Sequence, residues 1–224
     1  MLVFLLAVGM LLWLFPGGDF NIPDSGYASM DSLFILAPWL FLFLIPAVTM
    51  RMFAEEQRSG TIELLLTQPL TDFQLVFAKY IAAVVLVVIS LLPTFIYYGS
   101  VYYLASPVGN IDTAGIIGSY IGLFFLACGF ISIGIFASTI TSNQIIAFIT
   151  AVILCFFFYT GFDFFGSLTS NANFNNVLSS LGISSHYSSL SRGVIDSRDV
   201  IYFGSLSAFF LFLSRFVLEK RKWQ

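Results

Sequence analysis

Long apolar runs recur along this chain of 224 residues and take up most of its length. A helix rises 1.5 Å per residue, so about 20 apolar residues cross the roughly 30 Å hydrocarbon core of a bilayer. Stretches such as 81–92 are apolar on every face, which excludes the alternating strands of a transmembrane barrel. The sequence therefore predicts an all-α, polytopic membrane protein whose six transmembrane helices form a single domain, residues 1–224. The predicted spans lie near residues 2–15, 32–50, 78–104, 115–140, 144–166 and 199–218.

Charged residues make up only 9% of the chain, against roughly 25% in an average soluble domain. Too few charges remain to cover a soluble globule. Nine basic and twelve acidic residues give a net charge of −3, so no cationic face is present to neutralise a nucleic-acid backbone. Nucleic-acid binding is therefore excluded. Cys128 and Cys155 lie inside apolar runs, where we expect them to pack as small hydrophobic residues.

Basic residues near the ends of the spans predict the orientation of the chain. The loops 16–31 and 105–114 contain acidic residues but no Lys or Arg, so we expect them outside. The segment 167–198 contains Arg192 and Arg198, yet alternation of the spans places it outside as well. The residues that predict a cytoplasmic position for the segment 51–79 and for the C-terminus are Arg51, Arg58, Lys79, Arg215, Lys220, Arg221 and Lys222.

The segment 51–79, called the island below, holds seven of the 21 charged residues of the chain. Gly60 and, three residues later, Glu63 have the spacing of an N-cap and an N3 acid, which predicts a short helix over 61–67. Thr71 with Gln74 repeats the capping-box spacing and predicts the start of the third long helix. One interpretation of the short helix is an interfacial helix that rests on lipid headgroups.

The second interpretation comes from the string E-E-Q-R-S-G-T-I-E-L-L-L-T-Q-P-L-T at 55–71, which resembles the coupling-helix signature of type-2 ABC transporter permeases. The rest of the chain resembles, more closely, the gliding-motility-associated permease subunit (GldF type) of Bacteroidota. Such permeases begin with an amphipathic elbow helix before the first span, and this chain lacks it, so we expect a first span shortened at its cytoplasmic end. The strings that carry the closer resemblance lie at 20–31, 37–51, 109–113, 118–123 and 191–203.

The resemblance implies a permease subunit in the bacterial inner membrane that works with a separate ABC ATPase. It also implies a second permease protomer or an auxiliary membrane subunit. No Gly-Lys dipeptide occurs in the sequence, so the chain has no phosphate-binding loop for ATP and is not expected to be an enzyme. An ATPase-coupling helix needs charges that fix its register and apolar residues that insert into the partner. The predicted coupling residues are Glu55, Glu56, Arg58, Gly60, Ile62, Glu63, Leu65 and Leu66.

Asp163 is the only carboxylate clearly inside an apolar run. Acidic residues inside membrane spans commonly serve function because their insertion is costly, so Asp163 could be a gate or a substrate contact. It could equally lie at the outer interface, wetted by headgroup water. Gly118 and Gly122 have the spacing of a close helix approach, either within the chain or at a dimer seam. Pro38 and Pro46 in the second span and Pro93 in the third predict kinks in their helices.

Other polar features point to structure rather than to chemistry. The lone histidine, His186, has no Cys or second His nearby, so we expect hydrogen bonding and not a metal site, and no cofactor is predicted. Asp196 precedes the last span at N-cap spacing. An intramembrane enzyme built on Glu55 and Glu56 lacks the histidines that such metalloproteases require. A non-transporting scaffold for an envelope machine stays open as the alternative function.

Overall fold

A computed structural model describes residues 2–14, 21–62, 71–167 and 172–221, and all regular secondary structure in these ranges is helical. Short π-helical turns cover Met10–Leu14 and Phe157–Gly161, and a 3-10 turn covers Leu92–Thr94. The α-helices are α1 (Leu2–Gly9), α2 (Ile22–Ser25), α3 (Asp31–Thr49), α4 (Arg51–Ser59), α5 (Asp72–Leu91), α6 (Phe95–Leu104), α7 (Thr113–Ile140), α8 (Gln144–Phe156), α9 (Phe162–Ser167), α10 (Ala172–Ser179), α11 (Ile183–Leu190) and α12 (Ser197–Arg221).

Five helical segments in the described residues are long and apolar enough to cross a membrane, which confirms the all-α, polytopic prediction. Val3–Leu14, the first predicted span, is a shorter apolar helix. It lies against the bundle, where the Tyr97 hydroxyl donates to the Leu5 carbonyl at 3.0 Å. The five long segments are Asp31–Ser59, Asp72–Leu104, Thr113–Ile140, Gln144–Ser167 and Ser197–Lys220.

Two predicted spans continue as helix beyond their apolar parts. α3 ends at Thr49, close to the predicted end at residue 50, and α4 follows it to Ser59. α5 begins at Asp72 behind the capping box of Thr71 and Gln74, as their spacing predicts. A helix can continue beyond the hydrocarbon core because its backbone hydrogen bonds are internal and do not depend on the surroundings of its side chains.

α7 is the central helix of the bundle. From Leu126 to Ile135 every residue except Cys128 is buried, and α3, α5, α8 and α12 pack around it. Its small residues let neighbours approach closely. A methyl group added at Gly134 would lie within 3.0 Å of Thr49 Cβ on α3. The tight crossing of α3 and α7 therefore depends on glycine.

Gly118 and Gly122 serve close packing within the chain, which is one of the two predicted interpretations. A side chain at Gly118 would overlap the backbone of Gly193, in the turn that follows α11. A methyl group at Gly122 would lie 2.5 Å from Leu190 Cβ at the end of α11. The Ser119 hydroxyl adds a hydrogen bond of 2.8 Å to the Ser191 carbonyl. These glycines contact a folded connection rather than another span.

The α10–α11 segment is held on the bundle by polar contacts. The Tyr187 hydroxyl donates to the Phe34 carbonyl on α3 at 2.8 Å. His186 Nδ1 lies 2.7 Å from Asp199 Oδ1, which confirms that the lone histidine is hydrogen-bonded. Asp196 Oδ1 accepts from the Arg198 amide at 3.0 Å, so the predicted cap of the last span is confirmed. The segment therefore closes the end of the bundle at which α12 begins.

Pro93 lies in the 3-10 turn that separates α5 from α6, as its missing amide donor predicts. At this break the Thr94 hydroxyl lies 3.0 Å from the Tyr120 hydroxyl of α7. Pro38 and Pro46 are inside α3, which continues through both of them.

A single substitution, which adds one methyl group at Gly118, tests how tightly this residue packs against Gly193. Gly118→Ala places its Cβ against the Gly193 backbone, which cannot move aside as a flexible side chain would. We expect the free energy of unfolding in mixed micelles to fall by roughly 1–3 kcal/mol. Gly99→Ala is the control, because no atom lies within 4 Å of its new methyl group. An equal effect of the two substitutions would contradict the tight packing of Gly118.

Candidate functional site

The first half of the island folds as α4, directly after the long helix α3. Its pattern is amphipathic, with Phe53 and Ala54 buried and Glu55 and Arg58 exposed. Gly60 ends the helix in the left-handed conformation, at φ 73°. That position favours glycine because it has no Cβ to strain the backbone. Gly60 is thus the C-cap of α4, and helical backbone resumes directly after it at Thr61 and Ile62, where the predicted short helix starts. The rest of that predicted helix lies outside the described residues.

Ser138, near the end of α7, fills the break between α3 and α4. Its Oγ accepts hydrogen bonds from the amides of Phe53 at 3.0 Å and Ala54 at 3.1 Å. The same hydroxyl donates to the Met50 carbonyl at 3.0 Å. A side chain that enters the helical ladder in this way redirects the helix and satisfies the groups that the break exposes. Ser138 is fully buried, so water cannot replace these bonds.

Gln57 makes a second contact between α4 and the end of α7. Its Nε2 donates to the Thr139 carbonyl at 2.9 Å. The last carbonyl groups of a helix have no partner within the helix, so a side-chain amide is a suitable donor for them. Thr139 itself is buried. The two consecutive residues Ser138 and Thr139 thus hold both the start and the middle of α4.

Lys79 on α5 holds α4 from the other side. Its Nζ lies 2.5 Å from Glu56 Oε1 and also donates to the Met52 carbonyl. The ammonium group lies 4.5 Å from the centroid of the Phe53 ring, a cation–π distance. The side chains of Lys79 and Glu56 are 18% and 26% exposed. The pair is thus less screened by water and salt than a fully exposed pair.

These contacts define one site, called here the α4 joint. It connects α4 to the central helix α7 and to α5 by side-chain hydrogen bonds, an ion pair and a cation–π contact. Its contacts hold one helix against another, while two buried oxygens of the joint, Glu56 Oε2 and Gln57 Oε1, have no hydrogen-bond partner among the described residues. The α4 joint consists of Met50, Met52, Phe53, Ala54, Glu56, Gln57, Lys79, Ser138 and Thr139.

The predicted coupling residues have different positions in and around the joint. Glu55 and Arg58 are exposed on α4, whereas Glu56 points inward to Lys79. Ile62 is 7% exposed and belongs to the apolar core. Glu63, Leu65 and Leu66 lie outside the described residues.

Asp163 is far from this site. It lies in the first turn of α9, after the π-helical turn Phe157–Gly161, and it is half-buried. α8 starts close to the end of α7, so the span from Gln144 to Ser167 carries Asp163 to the opposite end of the bundle from the joint. Asp163 and the joint are therefore separate features.

Sequence reasoning missed Ser138, Thr139 and Gln57, and it did not pair Lys79 with Glu56. Ser138 and Thr139 look like ordinary polar residues at the end of an apolar run. Gln57 lies inside the recognised 55–71 string, which is the one signal that could have drawn attention to it. Ser138 and Phe53 are 85 residues apart, and no local pattern connects them.

Comparison with known proteins gives one match over nearly the whole length. The model of the ABC-2 family transporter protein matches residues 3–218. The chain belongs to the ABC-2 transporter family. It is a multi-pass membrane permease subunit of an ABC transporter, and ABC-2 permeases work with an ABC ATPase partner. No curated protein matches the chain.

Replacing Ser138 by alanine tests the joint in this ABC-2 protein. Ser138→Ala leaves the amides of Phe53 and Ala54 buried without their acceptor, at a cost of about 1–3 kcal/mol. We expect faster hydrogen–deuterium exchange in residues 50–57 and a lower free energy of unfolding. Ser132→Ala is the matched control, because that buried hydroxyl on the same helix bonds only to Gly129, at 2.7 Å. Equal exchange in the two variants would contradict the role of Ser138.

The ion pair of the joint can be measured by a double-mutant cycle. Glu56→Gln and Lys79→Met, alone and together, should give a coupling energy of roughly 0.5–3 kcal/mol. The exposed pair Arg215–Glu219 on α12, with 2.6 Å between Nε and Oε1, is the reference and should give about 0.3–0.5 kcal/mol. Unfolding in mixed micelles supplies all the values. A coupling energy for Glu56 and Lys79 no larger than the reference would show that burial adds nothing to this pair.

Proposed function

We propose that this permease subunit couples ATP hydrolysis by a separate ABC ATPase to export or to other work in the envelope, and that the α4 joint is the mechanical input. The supporting observation is the Ser138 hydroxyl, which links the Met50 carbonyl at the α3–α4 break and two amides in the first turn of α4 to the central helix. A helix that receives a push needs such a stiff connection. Without it, the helix would tilt on its own and the spans would stay in place.

The exposed residues of α4 support a docking role on the cytoplasmic side. Glu55 and Arg58 point away from the bundle, while Phe53, Glu56 and Gln57 are used to hold it. One face of the helix is thus fixed to the spans and the other is open to a partner. Opposite charges on an exposed face favour a partner of complementary charge and set its register. The ATPase surface that meets α4 should carry a basic group for Glu55 and an acidic group for Arg58.

Two routes lead from the joint into the spans. Ser138 and Thr139 connect α4 to α7, the helix around which the other spans pack. Lys79 connects α4 to α5, which ends at the 3-10 turn around Pro93. Packed helices that slide or turn about such a break are a common means of conformational change. A displacement of α4 would therefore reach both the centre of the bundle and the kink in its longest span.

The finer assignment rests on the sequence strings alone. We propose a GldF-type subunit of a gliding-motility system of Bacteroidota, in the inner membrane, with a cytoplasmic C-terminus and a second protomer or auxiliary subunit beside it. Asp163 is a proposed gate or substrate contact at the far end of the bundle, since a half-buried carboxylate there is costly unless it is used. The alternative is a scaffold that docks the same ATPase but moves nothing.

Charge reversal on α4 tests the docking role. Glu55→Lys with Arg58→Glu, and separately Gly60→Lys, should reduce co-purification of the ABC ATPase at least tenfold, because they disturb the exposed face or its C-cap. Ser138→Ala should retain the ATPase but lose the stimulation of ATP hydrolysis by the permease. Glu219→Lys is the control for charge reversal elsewhere on the same end of the bundle. Unchanged co-purification of the charge-reversed variants would refute docking at α4, and hydrolysis by the reconstituted complex without movement of any substrate would favour the scaffold.

A further inference from the structure

The single histidine of the chain connects the turn between α10 and α11 to the start of α12. His186 Nδ1 lies 2.7 Å from Asp199 Oδ1 on α12, and its Nε2 lies 2.9 Å from the Ser180 carbonyl oxygen in the turn. The Ser189 hydroxyl donates to the other carboxylate oxygen, Asp199 Oδ2, at 2.5 Å. The side chains of His186 and Asp199 are 19% and 9% exposed. Water therefore reaches the ring, while the carboxylate is largely covered.

Both groups that the imidazole ring meets are hydrogen-bond acceptors. A carbonyl oxygen and an ionised carboxylate have no hydrogen to donate. A neutral imidazole carries a hydrogen on one nitrogen and a lone pair on the other, so it would satisfy one contact and leave a lone pair facing an oxygen in the other. Only a ring with hydrogens on both nitrogens bonds to both Ser180 and Asp199. Histidine is more basic than aspartate, with ordinary pKa values of about 6.5 and about 3.9, so the positive charge belongs to the ring.

Tyr202 on α12 covers one face of the imidazole ring. The two ring centroids are 3.9 Å apart, and the rings are inclined by 19°. A cation is attracted to the face of an aromatic ring, which favours the charged form of His186. The Tyr202 hydroxyl also donates to the Leu181 carbonyl at 2.7 Å. The turn between α10 and α11 is thus held to α12 at two consecutive carbonyl groups, one through His186 and one through Tyr202.

We propose that the charged His186 ring, the Asp199 carboxylate and the Ser180 carbonyl form a latch that a single proton closes. With the proton present, the ring bonds to both acceptors and ties the turn to α12. When the proton passes to water, one of the two bonds is replaced by two facing lone pairs. The bond from Tyr202 to Leu181 does not depend on that proton. Deprotonation therefore loosens the turn without releasing it.

The latch weakens as the pH rises. In an unfolded chain near pH 7, histidine is mostly neutral and aspartate is ionised. The closed latch holds one proton more than these two side chains hold when unfolded, so its contribution to the free energy of unfolding falls as the pH increases. That contribution is complete between about pH 4 and about pH 6.5, where an unfolded histidine also carries its second proton.

Other ionisable groups lie on the elements that surround α11. Asp163 Oδ1, for example, lies 3.7 Å from a methyl group built at Gly182. In the part of the chain that the structure describes, Asp199 is the only one of these groups that forms a hydrogen bond with the His186 ring. The groups at this end of the bundle without such a bond are Asp31, Asp112, Tyr120, Tyr159, Asp163, Tyr187, Arg192, Asp196 and Arg198.

The latch lies at the opposite end of the bundle from the α4 joint. It is built on the first turn of α12, next to the end of the fifth long segment that carries Asp163. With the cytoplasmic C-terminus that we propose above, this end faces away from the ATPase and responds to the pH outside the cytoplasm. That assignment of sides rests on the proposed function, whereas the latch itself rests on the contacts of His186.

NMR of the full chain in mixed micelles, grown with 15N-labelled histidine, tests the latch, because the chain contains one histidine. At about pH 5.5 we expect hydrogens on both ring nitrogens. The second hydrogen should persist in the wild type to a proton concentration about tenfold lower than in Asp199→Asn, since a bond to a charged group is lost in the variant. Asp196→Asn is the matched control, because this carboxylate bonds to Ser197 and to the Arg198 amide and not to His186. It should titrate like the wild type.

Hydrogen–deuterium exchange measures the mechanical consequence. Protection factors, which correct for the effect of pH on chemical exchange, should fall about tenfold in residues 176–190 of the wild type when the ring loses its second hydrogen. His186→Gln has no titratable side chain, so its protection factors should stay constant over the same pH range. Thermal unfolding at about pH 5.5 confirms that each variant is folded.

Two results would overturn the latch. One is a wild-type ring with a single hydrogen at about pH 5.5, which would mean that one of the two contacts is not a hydrogen bond. The other is deprotonation of the wild-type ring with no loss of protection, which would make His186 a static structural contact. Both measurements use the purified permease without its ATPase, so a failure of docking at α4 would leave them unchanged.

Discussion

The Ser138 hydroxyl in the break between α3 and α4 is the interaction on which the joint depends. One oxygen accepts from two backbone amides and donates to one carbonyl, so a break in a long helix leaves none of these groups unsatisfied. Because the site is buried, these bonds cannot be lost cheaply. An unpaired buried amide lowers the free energy of unfolding by more than the net contribution of one hydrogen bond. On the α4 side of that break, Gln57 donates to the Thr139 carbonyl and Glu56 pairs with Lys79.

The low charge of the chain has a structural meaning that composition alone does not give. A membrane-spanning bundle can place charges only at its ends or in pairs, so the few that it carries are concentrated. Lys79 and Glu56 show the consequence, since both lie near the end of a span and are used to hold two helices together. Arg215 and Glu219 form another ion pair near the C-terminal end of α12. The same physical limit thus brings opposite charges together in pairs at the ends of helices.

Much of the fold could be predicted from the sequence because apolar length is a local property. Each of the five long segments overlaps its predicted span, and the caps at Thr71 and Asp196 were recognised from spacing alone. Errors arose where the backbone conformation depends on its surroundings. Gly60 has the spacing of an N-cap, and the spacing did not reveal that a helix also ends at it, with Gly60 as a C-cap of positive φ. Glu56 and Gln57 were visible as polar residues, yet their inward direction follows from the break four residues after Pro46.

The sequence by itself determined that this protein crosses a membrane several times as helices, belongs with transporter permeases and concentrates its charge in one island. These properties depend on the lengths of the apolar runs, on composition and on the order of the residues, all of which can be read from the sequence. Tertiary structure alone decided that Ser138 binds Met50, 88 residues away, that Lys79 pairs with Glu56 and that Gly204 and Ala208 of α12 line an apolar groove beside α5. The physical reason is that such contacts join segments that are distant in sequence. Neither the periodicity nor the composition of the sequence around one residue indicates which residue it will contact.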